Sequence, residues 1–537
     1  MTLCLALTTC TSHGSNSARS NGGRRSFENE FCDLLKMRTF ALGYVVFFAM
    51  SAHSQEVLIS ACENLTTSLD LSATIVTSAR PVTAGSFTPP NSQPTLLDLP
   101  EFCRVELTIA PTPDSDIKSE VWLPLEEWNG KFLTVGNGGW GGSIQYDALA
   151  EGVGRGFATA STDTGHTTTD ASFAVGHPEK LIDFGYRAIH ETAVKGKATI
   201  ARLYGIAPDY SYFNGCSGGG RQSFMEAQRY PEDFDAIIAG APGYDRTDVA
   251  FQTLGMIKAT HETPESFIPT EKYELIHRAA MKMCDARDGL EDGLISEPVD
   301  CDFDPVVLQC EGSETGNCLT ESQVVAARKI YATIVDPRTD EVLTAGLEPG
   351  SEMNWGRVAG TEPNPMYLSL LQHVVFPDED WDYRSIDVAS HLDVARAADD
   401  GVLAAISPNL EPFISRGGRL LIYHGWADQN IPPMGSTDYY EQVVDTIGES
   451  MTEDGVRLYM IPGMGHCSGG YGPDEFDALA VLERWREQGD APQAIVATQR
   501  EDNNVVRTRP LCPYPQVARY DGTGSIDEAE SFTCVVR

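Results

Sequence analysis

Residues 210–221 are Tyr-Ser-Tyr-Phe-Asn-Gly-Cys-Ser-Gly-Gly-Gly-Arg, and Gly215-Cys216-Ser217-Gly218-Gly219 within them fits the pattern G-x-S-x-G. The aromatic run at 210–213 favours a strand before the pentapeptide, and residues 222–228 favour a helix after it. A serine on such a sharp turn needs glycine neighbours, because larger side chains would collide with adjacent backbone. The stretch predicts a nucleophile elbow, but the pentapeptide also occurs by chance in glycine-rich loops, so other segments have to support it.

Composition and charge limit the possible partners. The chain has 537 residues, 42% hydrophobic, which fits one large globular domain with an insertion, or two domains. Its formal net charge is -38, from 39 basic and 77 acidic residues. This charge argues against nucleic acid and anionic membranes as partners and favours a neutral or weakly charged substrate. A solubility or salt adaptation of the surface explains the same acidity.

The N-terminal residues predict processing and export. Residues 1–36 are polar without periodicity, which predicts a non-native or disordered extension; a genuine cytosolic extension is the alternative. Residues 37–54 have one positive charge, an apolar run and small residues at the end, as a secretory signal peptide does. The apolar run is shorter than the roughly 20 residues that a membrane span needs. We expect a secreted or periplasmic protein whose mature chain has no membrane span.

The cysteine count agrees with export. Of 13 cysteines, three precede residue 54, and the even remainder of ten predicts five disulfides. Four pairs are close in sequence: Cys62 with Cys103, Cys284 with Cys301, Cys310 with Cys318, and Cys512 with Cys534. The two that remain are Cys216, which precedes Ser217, and Cys467, which follows His466. Sequence alone leaves the connectivity open.

A glycine-dense loop at 136–142 directly follows a predicted strand at 131–135. Such a loop lets backbone N–H groups approach a ligand, and serine hydrolases commonly take one oxyanion donor from this place. We expect Gly138 or Gly139 to be that donor and Gly218, the residue after the nucleophile, to be its partner. A phosphate-binding loop is the competing interpretation, although no Lys-Ser/Thr pair ends the loop.

Alternating strands and helices predict the fold class. Further strands are predicted at 119–123, 156–160, 234–239, 419–423 and 456–460, with an amphipathic helix at 182–204. This alternation indicates a mostly parallel sheet covered on both faces. The sequence therefore predicts an α/β-hydrolase fold.

Two polar residues follow the last two predicted strands. Asp428 comes shortly after the strand at 419–423, and His466 follows the strand at 456–460. The order Ser217, Asp428, His466 is the nucleophile, acid, base order of α/β-hydrolases. Four features thus point to the same kind of site: the elbow with Ser217, the glycine loop, Asp428 and His466. Together they predict a catalytic triad of Ser217, Asp428 and His466.

The segment 245–391 interrupts the alternation with short helices, turns and four cysteines. We interpret it as an inserted lid, so that the catalytic domain consists of residues 55–244 and 392–537. Within the lid, Asp285, Asp288 and Asp292 with interleaved glycines form an oxygen-rich loop suited to calcium. The spacing differs from an EF-hand, and a solvated acidic turn is the alternative.

The pairs Cys216-Ser217 and His466-Cys467, together with Asp428, resemble the signature of the tannase and feruloyl esterase family, and the resemblance extends from about Cys62 to Cys534. It implies a disulfide between Cys216 and Cys467. The family's calcium loop has the form Cys-Asp-x-x-Asp-Gly-x-x-Asp-Gly, matched from Cys284. The resemblance implies a structural calcium ion held by the side chains of Asp285, Asp288 and Asp292 and by the carbonyls of Leu290 and Leu294. Segment 350–355 resembles a lid segment whose tryptophan contacts substrate, which makes Trp355 a candidate contact.

The implied activity is hydrolysis of aromatic carboxylic esters without an organic cofactor. Feruloyl esters, including those linked to plant polysaccharide, rank first, galloyl esters of tannins second and mono(2-hydroxyethyl) terephthalate third. A secreted binding protein with an inactive hydrolase fold is a rival from another class, although no triad member is missing. A serine peptidase on the same fold would share the triad order but not the adjacent cysteines.

Overall fold

Runs of buried apolar residues form strands in the described part of the chain. The computed structural model describes residues 55–90, 94–377 and 380–536, so the predictions for 1–36 and 37–54 lie outside the described residues. The strands are β1 (Thr74–Val82), β2 (Gly85–Phe87), β3 (Leu96–Leu99), β4 (Phe102–Ile109), β5 (Ile117–Pro124), β6 (Lys131–Val135), β7 (Ala158–Thr162), β8 (Tyr210–Cys216), β9 (Ala236–Gly240), β10 (Ile334–Val335), β11 (Val342–Thr344), β12 (Arg419–Gly425), β13 (Val456–Ile461), β14 (Ile495–Glu501), β15 (Asn504–Leu511), β16 (Gln516–Tyr520) and β17 (Phe532–Val536).

Nine strands form the central sheet in the order β1-β4-β5-β7-β6-β8-β9-β12-β13. From β7 to β13 every neighbouring pair is parallel, whereas β1, β4, β5 and β7 pair antiparallel. The mostly parallel α/β sheet is as the sequence predicts. Because parallel strands end at one edge, the turns after β8, β12 and β13 lie on the same side of the molecule.

Helices cover both faces of the sheet and fill the long segment between β9 and β12. Those with bounds inside the described residues are α1 (Leu65–Ser68), α2 (Tyr146–Gly154), α3 (Pro178–Ile182), α4 (Ala188–Tyr204), α5 (Gly218–Arg229), α6 (Arg246–His261), α7 (Thr270–Cys284), α8 (Glu321–Tyr331), α9 (Pro365–Leu370), α10 (Val388–Asp399), α11 (Glu411–Ser415), α12 (Met434–Ile447), α13 (Glu449–Gly455) and α14 (Ala478–Gln488). Among these helices, none combines the length and apolarity needed to cross a bilayer.

Alternate residues of the central strands enter different hydrophobic cores. Tyr212 and Leu421 belong to the core on one face, and Phe213 and Leu420 to the core on the other. A third core lies mainly in the helical segment between β9 and β12. The sheet is therefore buried on both sides, while the helical segment has apolar packing of its own. The predicted lid boundaries at residues 245 and 391 stay predictions.

Element boundaries differ from the sequence-based expectations in two instructive places. The helix after the elbow begins at Gly218 and not near residue 222, although glycine is a poor helix former. Tertiary packing against the glycine loop, which excludes larger side chains, overrides propensity here. The helix predicted at 182–204 is instead α3, a π-helical turn at Asp183–Arg187 and α4, ended by Gly205 in the left-handed conformation.

Disulfides join the ten cysteines of the described residues in five pairs. The pairs are Cys62–Cys103, Cys216–Cys467, Cys284–Cys301, Cys310–Cys318 and Cys512–Cys534. Four of them connect residues at most 41 positions apart, whereas Cys216 and Cys467 are 251 positions apart. Five disulfides indicate that the chain folds in an oxidising compartment.

Candidate active site

The turn between β8 and α5 holds Ser217 in a strained conformation, with φ 63° and ψ -117°. A Cβ on Gly215 would lie 2.4 Å from the carbonyl oxygen of Gly219, so a side chain cannot fit there. The N–H of Ser217 donates to the Gly240 carbonyl at 2.9 Å and fixes the turn to β9. Strain of this kind persists where the surrounding structure enforces it, and it presents the serine side chain above the sheet edge.

Three side chains from turns at the same sheet edge form one hydrogen-bonded chain. His466 Nε2 lies 2.8 Å from Ser217 Oγ, and His466 Nδ1 lies 2.7 Å from Asp428 Oδ2. Their turns follow β8, β12 and β13, which end together because the strands are parallel. The arrangement lets His466 accept the proton of the serine hydroxyl while Asp428 orients the imidazole ring.

Asp428 is fully buried yet remains ionised. Burial would raise its pKa, but the charge of His466 and hydrogen bonds from His424 and His466 outweigh burial and hold the pKa well below its ordinary value. Its Oδ1 accepts from the backbone N–H groups of Asn430 and Ile431 at 2.7 and 3.0 Å. The carboxylate is therefore an acceptor throughout the neutral pH range and is rigidly held.

His424 is a site residue to which sequence reasoning assigned no role. It is fully buried at the end of β12, and its Nε2 lies 3.0 Å from Asp428 Oδ2, the oxygen that also binds His466. Its Nδ1 lies 2.7 Å from Ser436 Oγ. Since the ionised carboxylate can only accept, Nε2 of His424 carries the proton. A histidine four residues before the acid, at the end of a buried strand, was the available signal.

The glycine loop lies against the first turn of α5. Gln222 Oε1 accepts from the Asn137 N–H at 2.9 Å and so anchors the loop to the helix. A Cβ on Gly218 would lie 2.9 Å from the carbonyl oxygen and 3.3 Å from the nitrogen of Gly139. Gly138 and Gly139 border the same cavity as Ser217. The backbone groups proposed as oxyanion donors are thus neighbours, and their donor role stays a prediction.

The disulfide Cys216–Cys467 connects the turn of Ser217 to the turn of His466. Its Cα atoms lie 6.0 Å apart. Cys467 has φ 67°, a left-handed conformation that costs a residue with a side chain about 1 kcal/mol or more. The cross-link therefore joins two turns that both contain a strained residue, and it limits the distance between Ser217 and His466.

A cavity of about 350 Å³ opens over Ser217 and His466. Val249 and Ala250 of α6 and Met366 and Leu370 of α9 line it. Ile431, Trp140 and Tyr367 add further apolar surface. The space suits a largely apolar group.

The expectation that Trp355 contacts substrate needs correction. Trp355 is fully buried, its Nε1 donates to Ser351 Oγ at 3.0 Å, and its ring packs edge-on against Tyr273 and Tyr331. It therefore belongs to the core of the helical segment and not to the cavity wall. A large aromatic residue fills a core as readily as a pocket, and sequence similarity over a few residues does not distinguish the two.

The three aspartates of the predicted calcium loop lie close together. Burial raises the pKa of Asp292, and the neighbouring carboxylates of Asp285 and Asp288 raise it further. The guanidinium of Arg509, whose Nη2 lies 2.5 Å from Asp292 Oδ2, lowers the same pKa. Asp285 accepts from the N–H groups of Asp292 and Gly293 at 3.0 and 2.9 Å. Oxygen donors on a tight loop fit the chemistry of calcium. Among the described residues, no group of three or more His, Cys, Asp or Glu side chains is arranged as a metal site.

Comparison with known proteins identifies the relatives of this chain. The sequence profile of "Tannase and feruloyl esterase" matches residues 103–535, most of the chain. The chain belongs to the tannase and feruloyl esterase family. Within the family, an uncharacterised esterase of Xanthomonas campestris is 40% identical, with 89% of this chain and 91% of that protein covered. The mono(2-hydroxyethyl) terephthalate hydrolase of Piscinibacter sakaiensis is 33% identical, with 81% and 85% covered.

A solved structure of a feruloyl esterase has the same fold as this chain. Feruloyl esterase B from Aspergillus oryzae superimposes with a TM-score of 0.85 at 29% identity, covering 89% of this chain and 100% of that chain. This family member thus has the α/β-hydrolase fold that the sequence predicted. The family and its named members are carboxylic ester hydrolases, and so is this chain.

Removing the disulfide between Cys216 and Cys467 by the double substitution Cys216→Ala/Cys467→Ala should lower both the stability and the esterase activity of this protein. We expect a loss of about 2–5 kcal/mol in unfolding free energy, since the cross-link closes a long loop. We expect kcat/KM to fall at least about tenfold, because Ser217 and His466 are no longer held in register. Denaturant unfolding and ester hydrolysis measure the two effects.

The matched control is Cys310→Ala/Cys318→Ala, which opens a disulfide between residues only eight positions apart. These cysteines lie outside the hydrogen-bonded chain of Ser217, His466 and Asp428, so kcat/KM should stay within about twofold of the wild-type value. The unfolding free energy should fall by less than in the Cys216/Cys467 variant, because the loop that this disulfide closes is much shorter. Full activity in the Cys216/Cys467 double variant would contradict a bracing role.

His424→Asn should change the pH dependence of hydrolysis. Without the Nε2–H donor, the Asp428 carboxylate acts on His466 alone and favours its protonated form more strongly. The acid limb of the kcat/KM profile should then move to higher pH by about half a unit or more. Ser436→Ala, which leaves the contact between His424 and Asp428 in place, should move it less. If the acid limb of the profile stays in place in His424→Asn, His424 has no influence on His466 and only packs in the core.

Proposed function

We propose that Ser217 is the nucleophile of a two-step ester hydrolysis. Ser217 Oγ attacks the ester carbonyl as His466 takes its proton, and His466 then gives that proton to the departing alcohol. Water, deprotonated by His466, then attacks the acyl carbon; the bond to Ser217 Oγ breaks, His466 returns the proton to Ser217, and the acid leaves. The observation that carries this proposal is the continuous hydrogen-bonded chain from Ser217 Oγ through His466 to buried Asp428.

The oxyanion of each tetrahedral intermediate would be held by backbone N–H groups of Gly218 and of Gly138 or Gly139. One such donor typically contributes roughly 3 to 4 kcal/mol to the transition state. Support comes from the close packing of Gly218 against Gly139 beside the nucleophile.

We propose esters of aromatic acids as substrates, with hydroxycinnamoyl (feruloyl) esters ahead of galloyl esters. The apolar side chains that α6 and α9 contribute to the cavity walls suit an aromatic ring system. The three ring hydroxyls of a galloyl group would lose water against these walls with few partners. A terephthalate monoester is a further candidate, supported by the 33% identical hydrolase of that ester and by cationic side chains in the cavity.

The proposed setting is the cell exterior or periplasm. The five disulfides support an oxidising compartment, and residues 37–54 are proposed as the cleaved signal peptide. The segment 245–391 is proposed as a lid, because α6 and α9 within it line the cavity over Ser217.

A structural calcium ion is proposed in the loop 285–294. The side chains of Asp285, Asp288 and Asp292 would bind it, with the backbone carbonyls of Leu290 and Leu294. Calcium would offset the mutual repulsion of the three carboxylates, of which Arg509 neutralises part. No catalytic side chain belongs to this loop, so the ion would act on stability.

Hydrolysis of methyl ferulate and methyl gallate tests the activity. We expect the wild type to have the higher kcat/KM on methyl ferulate, and Ser217→Ala to lose at least about 10⁴-fold on both esters. Acid release followed by chromatography measures the rates. Equal rates in wild type and Ser217→Ala would refute the nucleophile, whereas a preference for gallate would refute only the acyl ranking.

Chelation tests the calcium proposal. Dialysis against EGTA should lower the melting temperature by several degrees, and calcium but not magnesium should restore it. Asp288→Asn should remove this calcium-dependent increment. Asp340→Asn, on an exposed turn outside the loop, should keep it. A wild-type melting temperature that EGTA leaves unchanged would contradict a bound structural calcium ion.

A further inference from the structure

His466 lies in a hairpin after β13, residues 463–472, in which five of the ten residues are glycine. The five are Gly463, Gly465, Gly469, Gly470 and Gly472. The N–H of Gly465 donates to the carbonyl of Gly469 at 2.9 Å and closes the tip. Glycine has no side chain to limit its backbone conformations, so the hairpin has little stiffness of its own. The position of His466 therefore depends on what holds the hairpin from outside.

Two contacts hold the tip and the first strand of the hairpin. The disulfide ties Cys467 at the tip to Cys216. The carbonyl of Met464 in the first strand accepts from the N–H of Ala427, in the turn after β12, at 2.9 Å. Neither of these contacts joins both strands at the open end, where the chain enters and leaves the hairpin.

The side chain of Leu294 fills the open end of the hairpin, formed by Gly463 and Gly472. A Cβ on Gly463 would lie 2.9 Å from Leu294 Cδ2, and a Cβ on Gly472 would lie 3.1 Å from the same carbon. One methyl group therefore packs against the backbone of both strands, and a side chain at either glycine would displace it. Gly463 also has φ 72°, a left-handed conformation that glycine adopts at little cost.

Leu294 is itself held firmly on its other side. It is only 1% exposed, and its backbone N–H donates to Asp292 Oδ1 at 3.2 Å. Ile295, the next residue, belongs to the core of the helical segment. Leu294 also borders a small cavity together with Trp426, which lies in the turn after β12. Leu294 therefore connects the core of the helical segment to the turns after β12 and β13.

We propose that Leu294 is a positioning residue of the hydrolysis: by packing against both strands of the hairpin, it keeps His466 Nε2 at Ser217 Oγ. Leu294 is not among the residues that line the cavity over Ser217, so it acts through the hairpin and not on the substrate. A shift of about 1 Å in a catalytic group can cost about 100-fold in rate. This inference rests on the proposed roles of Ser217 and His466.

Leu294→Ala removes the methyl group and leaves space into which the glycine-rich hairpin can move. We expect kcat for methyl ferulate to fall at least about tenfold, because His466 is less often in register with Ser217. The KM should stay within about twofold, since Leu294 lies outside the substrate cavity. Leu294→Met nearly conserves the volume and should recover most of the lost kcat.

A small reagent separates the position of His466 from substrate binding. Phenylmethanesulfonyl fluoride reacts when Ser217 Oγ displaces fluoride from sulfur while His466 takes the hydroxyl proton. In Leu294→Ala its second-order rate constant should fall by about the same factor as kcat. Both rates are divided by the number of sites that the reagent labels at completion, counted by mass spectrometry, so unfolded protein does not contribute.

Leu319→Ala is the matched control. Leu319 is fully buried in the core of the helical segment, so the substitution should lower the unfolding free energy, measured with denaturant, about as much as Leu294→Ala does. Its kcat and its rate of inactivation should stay within about twofold of the wild-type values. A merely structural role of Leu294 would make the two variants behave alike.

Three outcomes would overturn the proposal: rates in Leu294→Ala within about twofold of the wild type, an equal loss in Leu319→Ala, or a raised KM with unchanged kcat. If Leu294→Ala does not fold, Leu294→Val decides. Both of its rates should be at least about threefold lower than in the wild type, and wild-type rates would overturn the proposal. A wild type that neither hydrolyses the methyl esters nor reacts with the reagent would refute the proposed hydrolysis itself, and this inference with it.

Discussion

The site depends on a covalent link between two strained turns. Ser217 and Cys467 both have left-handed backbone conformations, and the disulfide from Cys216 to Cys467 ties their turns together across 251 residues of chain. Neither conformation is favourable by itself, so each persists because the parallel strands and the cross-link leave no alternative. A folded sheet edge and an oxidising compartment are thus both conditions for holding Ser217 against His466.

Charge is organised on two scales. The surface carries a large negative excess, whereas the cavity over Ser217 presents two arginines and no acid among its described lining residues. Asp428 stays ionised in a fully buried position because His466, His424 and two backbone N–H groups compensate its burial. Long-range charge therefore says little about what the site accepts, since buried groups are governed by their immediate partners.

Sequence patterns predicted the parallel sheet, the elbow and the order Ser217, Asp428, His466, because each depends on local chemistry at the end of a strand. They predicted strand positions within about two residues, but placed the start of the elbow helix too late, since packing there overrides the low helix propensity of glycine. Trp355 was assigned to the pocket and lies in a core, because an apolar aromatic side chain satisfies either environment. His424 received no role, since its partners are set by how β12 ends beside the acid.

The sequence by itself determined the family, the fold class, the identity of the three residues of the hydrogen-bonded chain and an even set of ten cysteines after residue 54. These follow from residue types at short spacings, where backbone geometry leaves few choices. Only the tertiary structure decided which side chains face the cavity, that Asp428 has a second histidine, and that Arg246 stacks on Trp140. The contact of Arg246 with Trp140 joins segments that are far apart in the chain, so it depends on helix packing that no local pattern encodes. His424 and Asp428 are only four residues apart, but they meet because the turn after β12 folds the carboxylate back onto the end of the strand.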